Sequence, residues 1–218
     1  MSVVLKVGGA STAGVADAVS ALGPQVCVVH GAGPQISAEM ERRGLEIRFV
    51  GGRRVTTPEA LAVVRESFVR VNAAVCGAIG ERALSLDGDE IGLTAVQVPE
   101  LGLVGSPVPC APAPILGALA AGLVPVVSPL ARGPLNVNAD EAAAALAVGI
   151  GAERLHFLTD VPGVFRGGNV VQALDATTAE SLVESGELEG GIVPKLLAAV
   201  RAARSGVAAE IGMTEVLA

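Results

Sequence analysis

Tryptophan and tyrosine are absent from the 218 residues, and phenylalanine occurs four times. With aromatics at 2% the chain lacks the stacking platforms that single-stranded nucleic acid needs, and a net charge of −7 argues against a phosphate-backbone surface. No nucleic-acid partner is expected. Cysteine is scarce as well. Cys27, Cys76 and Cys110 are odd in number and widely spaced, and no Cys/His pair has zinc spacing. Cys27 lies in an apolar run and reads as a small core residue; the three are expected as reduced thiols in a cytoplasmic protein. Long apolar runs are missing too, although hydrophobic residues make up 51% and the mean hydropathy is +0.59. The longest uncharged stretch, 101–131, carries Pro107, Pro109, Pro112, Pro114, Pro125 and Pro129, so it cannot be one spanning helix of about 20 residues. No membrane partner is expected. No N-terminal segment combines basic residues, an apolar run and a cleavage site, so no signal peptide is expected.

Lysine is the scarcest charge. The chain has thirteen arginines and two lysines, Lys6 and Lys195. An ammonium is a compact point charge on a flexible stem, whereas a guanidinium is a wide planar fork. A site that must bring positive charge against crowded oxygens accepts the first and refuses the second. These two positions are therefore the first candidates for chemistry.

What is present is alternation. Apolar runs at 2–7, 26–29, 93–98, 103–105, 123–127, 154–160 and 207–211 read as strands. Helices are predicted at 12–22, 34–43, 113–121, from Asn138 onward, and at 177–186 and 192–205. Residues 46–55 suit a hairpin around Gly51-Gly52. Thr57, Pro58 and Glu59 form a helix start, and the helix they begin extends to about Leu84. So long and apolar a helix suits a subunit contact. Alternating strands and helices argue for an α/β fold with a largely parallel sheet, with a change of lobe between about 128 and 152.

Two glycine turns, "KVGG" and "HGAG", follow apolar strands, where the carboxyl ends of parallel strands bind ligands and the next helix favours anions. Neither dinucleotide fingerprint nor P-loop spacing is met, so a nicotinamide dehydrogenase is disfavoured and a phosphate site here needs another geometry. In "LNVNADEAAAALA", Asn138 and Glu141 resemble a capping box and Asp140 suits the first turn. Capping leaves Asn136 unexplained; two asparagines at i and i+2 can face a polar ligand. Turn chemistry alone accounts for Asp160, Pro162 and Gly163 in "FLTDVPGV". Arg54 is either an exposed arginine or a bidentate clamp for a carboxylate. His30 and His156 read as structural, with no carboxylate partner near them in sequence.

Taken together, "KVGG", "VVHGAGPQI", "RRVTTPEAL", "LNVNADEAAAALA", "FLTDVPGV" and "GGIVPK" resemble, in order and context, the amino acid kinase family, and within it the acetylglutamate kinases. The resemblance covers about residues 3 to 205. It implies a three-layer αβα sandwich with an open, mainly parallel central sheet. It places an N-terminal lobe for the amino acid and the dimer interface over 1–150, and a C-terminal lobe for ATP over 151–218. It implies ATP-dependent phosphorylation of the side-chain carboxylate of N-acetyl-L-glutamate, as in arginine biosynthesis, with Mg2+ accompanying ATP and no metal ligand assigned among the residues.

By the same resemblance Lys6 and Lys195 flank the transferring phosphoryl group and Asp140 orients both. Gly31, Ala32, Gly33, Arg54, Asn136 and Asn138 serve the acceptor. Gly8, Gly9, Thr159, Asp160, Val161, Pro162, Gly163, Val164 and Phe165, with Glu187, Leu188 and Glu189, border the nucleotide. The glycine turns are expected to offer backbone N–H groups.

Departures carry expectations of their own. Ala32 replaces a family glycine, and a positive φ there would be strained. The hairpin around 94–105 is short, implying a small lid. The chain ends soon after "AAEIGMTEVLA", short of a helix and strand that many relatives carry. No helix precedes the first strand; in the family that helix links dimers into arginine-inhibited hexamers, so a plain homodimer without arginine feedback is expected. Two other functions fit: a kinase for carrier-bound aminoadipate or glutamate, and a non-catalytic sensor of amino acid or nucleotide.

Overall fold

The computed structural model describes residues 2–9 and 14–218. β1 (Val3–Val7), α1 (Val15–Leu22), β2 (Val26–His30) and α2 (Gly33–Arg42) open the chain. A small hairpin of β3 (Phe49–Val50) and β4 (Arg53–Arg54) precedes α3 (Pro58–Ile79), β5 (Ala83–Asp87) and the single turn α4 (Gly88–Ile91). Next come β6 (Ala95–Gln97), β7 (Val104–Pro107), α5 (Ala113–Ala120) and β8 (Val124–Ser128). β9 (Leu130–Ala131) and β10 (Leu135–Val137) feed α6 (Ala139–Gly149) and β11 (Arg154–Leu158). The chain then forms β12 (Phe165–Arg166), β13 (Asn169–Val170), β14 (Ala173–Asp175), α7 (Ala176–Glu184), α8 (Ile192–Arg204), β15 (Ala208–Ile211) and β16 (Thr214–Leu217). The beginning of the first predicted helix, Thr12 and Ala13, lies outside the described residues.

Eight strands make the central sheet in the order β14-β16-β15-β11-β1-β2-β8-β5. Every adjacent pair is parallel except β15 with β16. Alternation along β1 divides the core in two. Leu5 and Val7 face a cluster with Val28, Ile36, Phe68 and Val71, contributed by β2, α2 and α3. Val4 faces the other cluster, with Ile115, Leu146, Phe157 and Leu196 from α5, α6, β11 and α8. Helices thus cover both faces, giving the expected αβα sandwich. The run of alanines in α6, Ala142 to Ala145, is buried almost throughout; small side chains let this helix lie close against the sheet and α8.

Thr57 Oγ1 accepts from the N–H of Ala60, and Pro58 occupies the first turn of α3 as expected. The helix does not reach Leu84. It stops at Ile79 because Gly80 turns to φ 86, a left-handed conformation that a side chain resists. Residues 83–87 instead form β5, paired in parallel with β8. Strands β14 and β16 have no counterpart in the sequence reading. The segment 94–105 forms the antiparallel β6–β7 pair, part of a second, four-stranded sheet β6-β7-β10-β9.

Candidate active site

β1 is the switch point of the sheet: β2 lies on one side and β11 on the other. In open α/β sheets the crevice forms at the carboxyl ends of strands at such a point. A cleft of about 1010 Å³ opens there, lined by residues of β1, β10, β11, the turn after β2, the β3–β4 hairpin and the starts of α2, α6 and α8.

Lys6 sits on the α6 side of β1 and is 5% exposed. Its Nζ is 2.7 Å from Asp140 Oδ1, and Lys195 Nζ is 3.9 Å from Asp140 Oδ2. One carboxylate therefore stands between the two lysines, although Lys6 and Lys195 are far apart in the chain. The Lys6 contact is an ion pair without hydrogen-bond angles, and Asp140 Oδ1 is buried with no hydrogen-bond partner among the described residues. Asp140 occupies the first turn of α6, where a negative charge suits the helix dipole. Lys195 Nζ also donates to Gly191 O at 3.1 Å. Burial holds the Lys195 ammonium below its ordinary range; Asp140 pulls it back up, Lys6 pushes it further down, and Asp160 favours the charge. A partly desolvated pair of cations sharing one anion is a site with positive charge to spare.

Arg54 also lines the cleft. Its Nη2 donates to Gly33 O at 3.1 Å and to Ser37 Oγ at 2.8 Å, and its Cζ lies 4.5 Å over the Phe49 ring. Burial pushes this guanidinium down from its usual range. Arg54 is 6% exposed, which overturns the exposed-arginine reading, and no carboxylate pairs with it among the described residues. Asn136 Nδ2 donates to Thr56 Oγ1 at 3.0 Å, which fixes its amide beside the cleft.

Asn138 separates from it in role: its Oδ1 accepts from the N–H groups of Asp140 and Glu141, and its Nδ2 donates to Gly52 O at 3.2 Å. Asn138 is a helix cap, as expected, yet the capping box is incomplete. Glu141 forks onto Arg53, with Nε to Oε1 at 3.0 Å and Nη2 to Oε2 at 2.8 Å.

Gly8, Gly9, Gly31, Ala32 and Gly33 line the cleft. A Cβ on Gly9 would stand 2.7 Å from Ala32 Cα, so the two turns touch backbone to backbone. Gly31 does not offer its N–H to a ligand; it donates to Val7 O at 2.9 Å. Ala32 adopts φ −144, so the strain expected there does not arise. Thr159, Asp160, Val161 and Glu189 also line the cleft, whereas Pro162, Gly163, Val164, Phe165, Glu187 and Leu188 stand outside its lining. Val164 is fully buried, its N–H donating to Thr214 Oγ1 at 2.9 Å. The sequence reading missed Phe49, Arg53, Phe68, Val104 and Pro129 as lining residues. Only Arg53 carried a signal, as a second arginine beside Arg54.

Behind the "HGAG" turn, His30 is fully buried. Its Nε2 is 3.2 Å from Asn72 Nδ2 and 3.5 Å from Ser128 Oγ, and its ring meets Phe68 edge-on. Burial lowers its pKa from 6.5 to about 4, against smaller opposing effects of Gly31 and Asp87. The unfolded chain takes up this proton near pH 6.5 and the folded one does not. Stability present above pH 6.5 is therefore lost as pH falls toward 4, by about 3 kcal/mol from this residue. Urea titrations between pH 7 and 4 should show that slope, and His30→Asn should flatten it. His156, by contrast, finds a partner from a distant strand: its Nδ1 is 3.1 Å from Glu210 Oε2.

The profile of the amino acid kinase family matches residues 1–212. An acetylglutamate kinase of Rubrobacter xylanophilus is 42% identical over 222 residues, covering 96% of this chain and 88% of the relative. That of Frankia casuarinae is 43% identical over 85% of this chain, which spans 56% of the relative's length. Among solved structures, smu.665 from Streptococcus mutans superposes with a TM-score of 0.86 at 22% identity, covering 99% of this chain and 98% of that one; at that identity the likeness speaks for the fold alone.

Proposed function

Since the chain belongs to the amino acid kinase family, we propose that it catalyses ATP-dependent phosphorylation of the side-chain carboxylate of N-acetyl-L-glutamate, giving the acyl phosphate used in arginine biosynthesis. The observation that carries the reading is Asp140 standing between Lys6 and Lys195 in the same cleft as Arg54, which pairs with no carboxylate among the described residues. The similarity to acetylglutamate kinases at 42% identity over nearly the whole chain supports the acceptor.

A side-chain carboxylate with a solution pKa of about 4.3 is already ionised at neutral pH, so no general base is required. The obstacle is bringing one anion against another. Phosphoryl transfer is a matter of positioning and charge neutralisation. Arg54 would take the acceptor's α-carboxylate bidentately, and Asn136 its acetamido group. Lys6 and Lys195 would meet the phosphoryl oxygens as negative charge grows on them, with Asp140 holding the two ammonium groups apart and aimed. Thr159, Asp160, Val161 and Glu189 would border the nucleotide, on the 151–218 side of the cleft, with the acceptor on the 1–150 side.

The described residues hold no cluster of three His, Cys, Asp or Glu side chains fit to bind a metal, and Asp140 is taken up by the lysines. Magnesium fits here only as the companion of the ATP phosphates; no residue of the chain is assigned to it.

A homodimer is part of the proposal. The outer side of α3 leaves Ala62, Val69, Ala73 and Ala78 exposed, Val69 at 60%, which suits helix-to-helix contact. A reducing cytoplasm suits the three unpaired cysteines. Among the described residues no helix is long and apolar enough to cross a membrane.

The test is acyl phosphate formation trapped with hydroxylamine. With ATP, free N-acetylglutamate should turn over well above N-acetylaminoadipate or a carrier-linked substrate. No turnover of the first sinks this acceptor, and ATP binding without any acyl phosphate would favour a sensor. Arg54→Ala should raise the acceptor KM by roughly 10- to 100-fold, the worth of a charge-assisted contact, while kcat changes less. Steady-state kinetics with acceptor varied at saturating ATP would show it.

A further inference from the structure

Arg53 and Arg54 are consecutive in a two-residue strand, so their side chains leave opposite faces. Arg54 reaches α2, through Gly33 O and Ser37 Oγ. Arg53 reaches the other wall: it forks onto Glu141 at 3.0 and 2.8 Å and donates to Ser106 Oγ at 3.1 Å. Both partners of the fork are largely shielded, at 18% and 12% exposure. The adjoining turn is pinned in the same direction by Asn138 Nδ2 on Gly52 O. A Cβ on Gly52 would stand 3.5 Å from Pro194 Cβ, so the turn also passes close to the residue before Lys195.

The hairpin belongs to neither large sheet; β3 and β4 pair only with each other. A two-stranded hairpin is marginal by itself, so its place over the cleft depends on these tethers. Glu141 directly follows Asp140 in the first turn of α6. Both of its oxygens accept from Arg53 rather than from its own helix terminus, with Arg201 Nη1 a more distant second partner at 3.9 Å from Oε1. A shift of the hairpin therefore pulls on the turn that carries the carboxylate between the two lysines.

We propose that the Arg53–Glu141 ion pair is a positioning clasp, tying the hairpin that carries Arg54 to the helix turn that carries Asp140, so that acceptor capture and lysine alignment are set together. The proposal rests on the kinase reading above for its kinetic consequence. Its structural part, that the pair holds the hairpin in place, stands apart from the identity of the acceptor.

The test compares Arg53→Gln, Glu141→Gln and the double variant of the full chain, with N-acetylglutamate and ATP in the hydroxamate assay and with hydrogen–deuterium exchange of residues 49–54. Each single variant should lose about tenfold or more in kcat, since small misplacements of reacting groups carry large rate effects, with acceptor KM raised and ATP KM unchanged. The double variant should be no worse than the worse single one, because both remove the same link. Exchange in the hairpin should be faster in all three.

Arg53→Lys, which keeps the charge and loses the fork, should fall between wild type and Arg53→Gln, and guards against a glutamine variant that does not fold. Wild-type kcat and acceptor KM in the single variants, or losses that multiply in the double, would overturn the clasp. If the wild type itself fails to turn over N-acetylglutamate, the kinase reading fails on that acceptor and exchange decides the clasp. Faster exchange in both single variants supports it, and unchanged exchange overturns it.

Discussion

Lys6→Arg should fold normally and lose about 100-fold or more in kcat, the scale of removing one preorganised charge from a transition state. The charge is kept, so a deficit of this size measures shape. Lys6 Nζ works in a narrow place. It is 2.7 Å from Asp140 Oδ1, its side chain is 6% exposed, and the glycine turns of β1 and β2 lie alongside. A guanidinium offers its donors as a planar fork several atoms wide and would prefer to clamp Asp140 bidentately. That would take the carboxylate away from Lys195 and withdraw the charge from the phosphoryl path. The melting temperature should stay near that of the wild type because the ion pair survives. A kcat within about threefold of wild type would remove Lys6 from the chemistry, since effects confined to ground-state binding appear in KM.

Asp140→Asn should damage both activity and stability. Two ammonium groups would then face each other with no anion between them. Breaking a buried pair by removing one partner costs on the order of 3 kcal/mol or more, which for a chain of this size lowers the melting temperature by roughly 10 °C. Asparagine can still occupy the first turn of α6 and keeps the volume, so collapse of the helix is not the cause. Asp140 is the principal group raising the Lys195 pKa, while burial and Lys6 lower it. Losing Asp140 moves that pKa further down. On the proposed mechanism the charged lysine works at the phosphoryl group, and it is then lost at lower pH. The alkaline fall of kcat, expected for the wild type below the usual lysine range because burial holds Lys195 down, should shift to lower pH in the variant. A pH–rate profile whose alkaline limb is identical in both proteins would show that Lys195 does not work beside Asp140. An unchanged melting temperature would show that the Lys6 ammonium is solvated after all.

Much of the fold was readable in the chain because its signals are local. Thr57, Pro58 and the apolar spacing after them mark the start of α3, and Asn138 marks the start of α6; each works through hydrogen bonds spanning three or four residues. The end of α3 was misread because alanine and leucine at 83 and 84 continue the apolar pattern, and only pairing with β8 makes them a strand. β14 and β16 escaped for a similar reason: they are three and four residues long and exist as strands through partners across the sheet. At the site, the scarcity of lysine singled out Lys6 and Lys195. The fork between Arg53 and Glu141 spans 88 residues and leaves no trace in either local pattern, so Glu141 was read as a cap.

Composition and short-range pattern were enough to determine an α/β chain, two exceptional lysines, a capped alanine-rich helix and glycine turns at strand ends. These follow from propensities, which act between near neighbours. Tertiary structure alone decided that β1 lies between β2 and β11, that one carboxylate stands between two ammonium groups, that the Gly31 N–H is spent on Val7, and that the hairpin is fastened to α6. Those facts depend on which distant segments meet, and burial of the two apolar faces of the sheet, rather than any run of residues, fixes that.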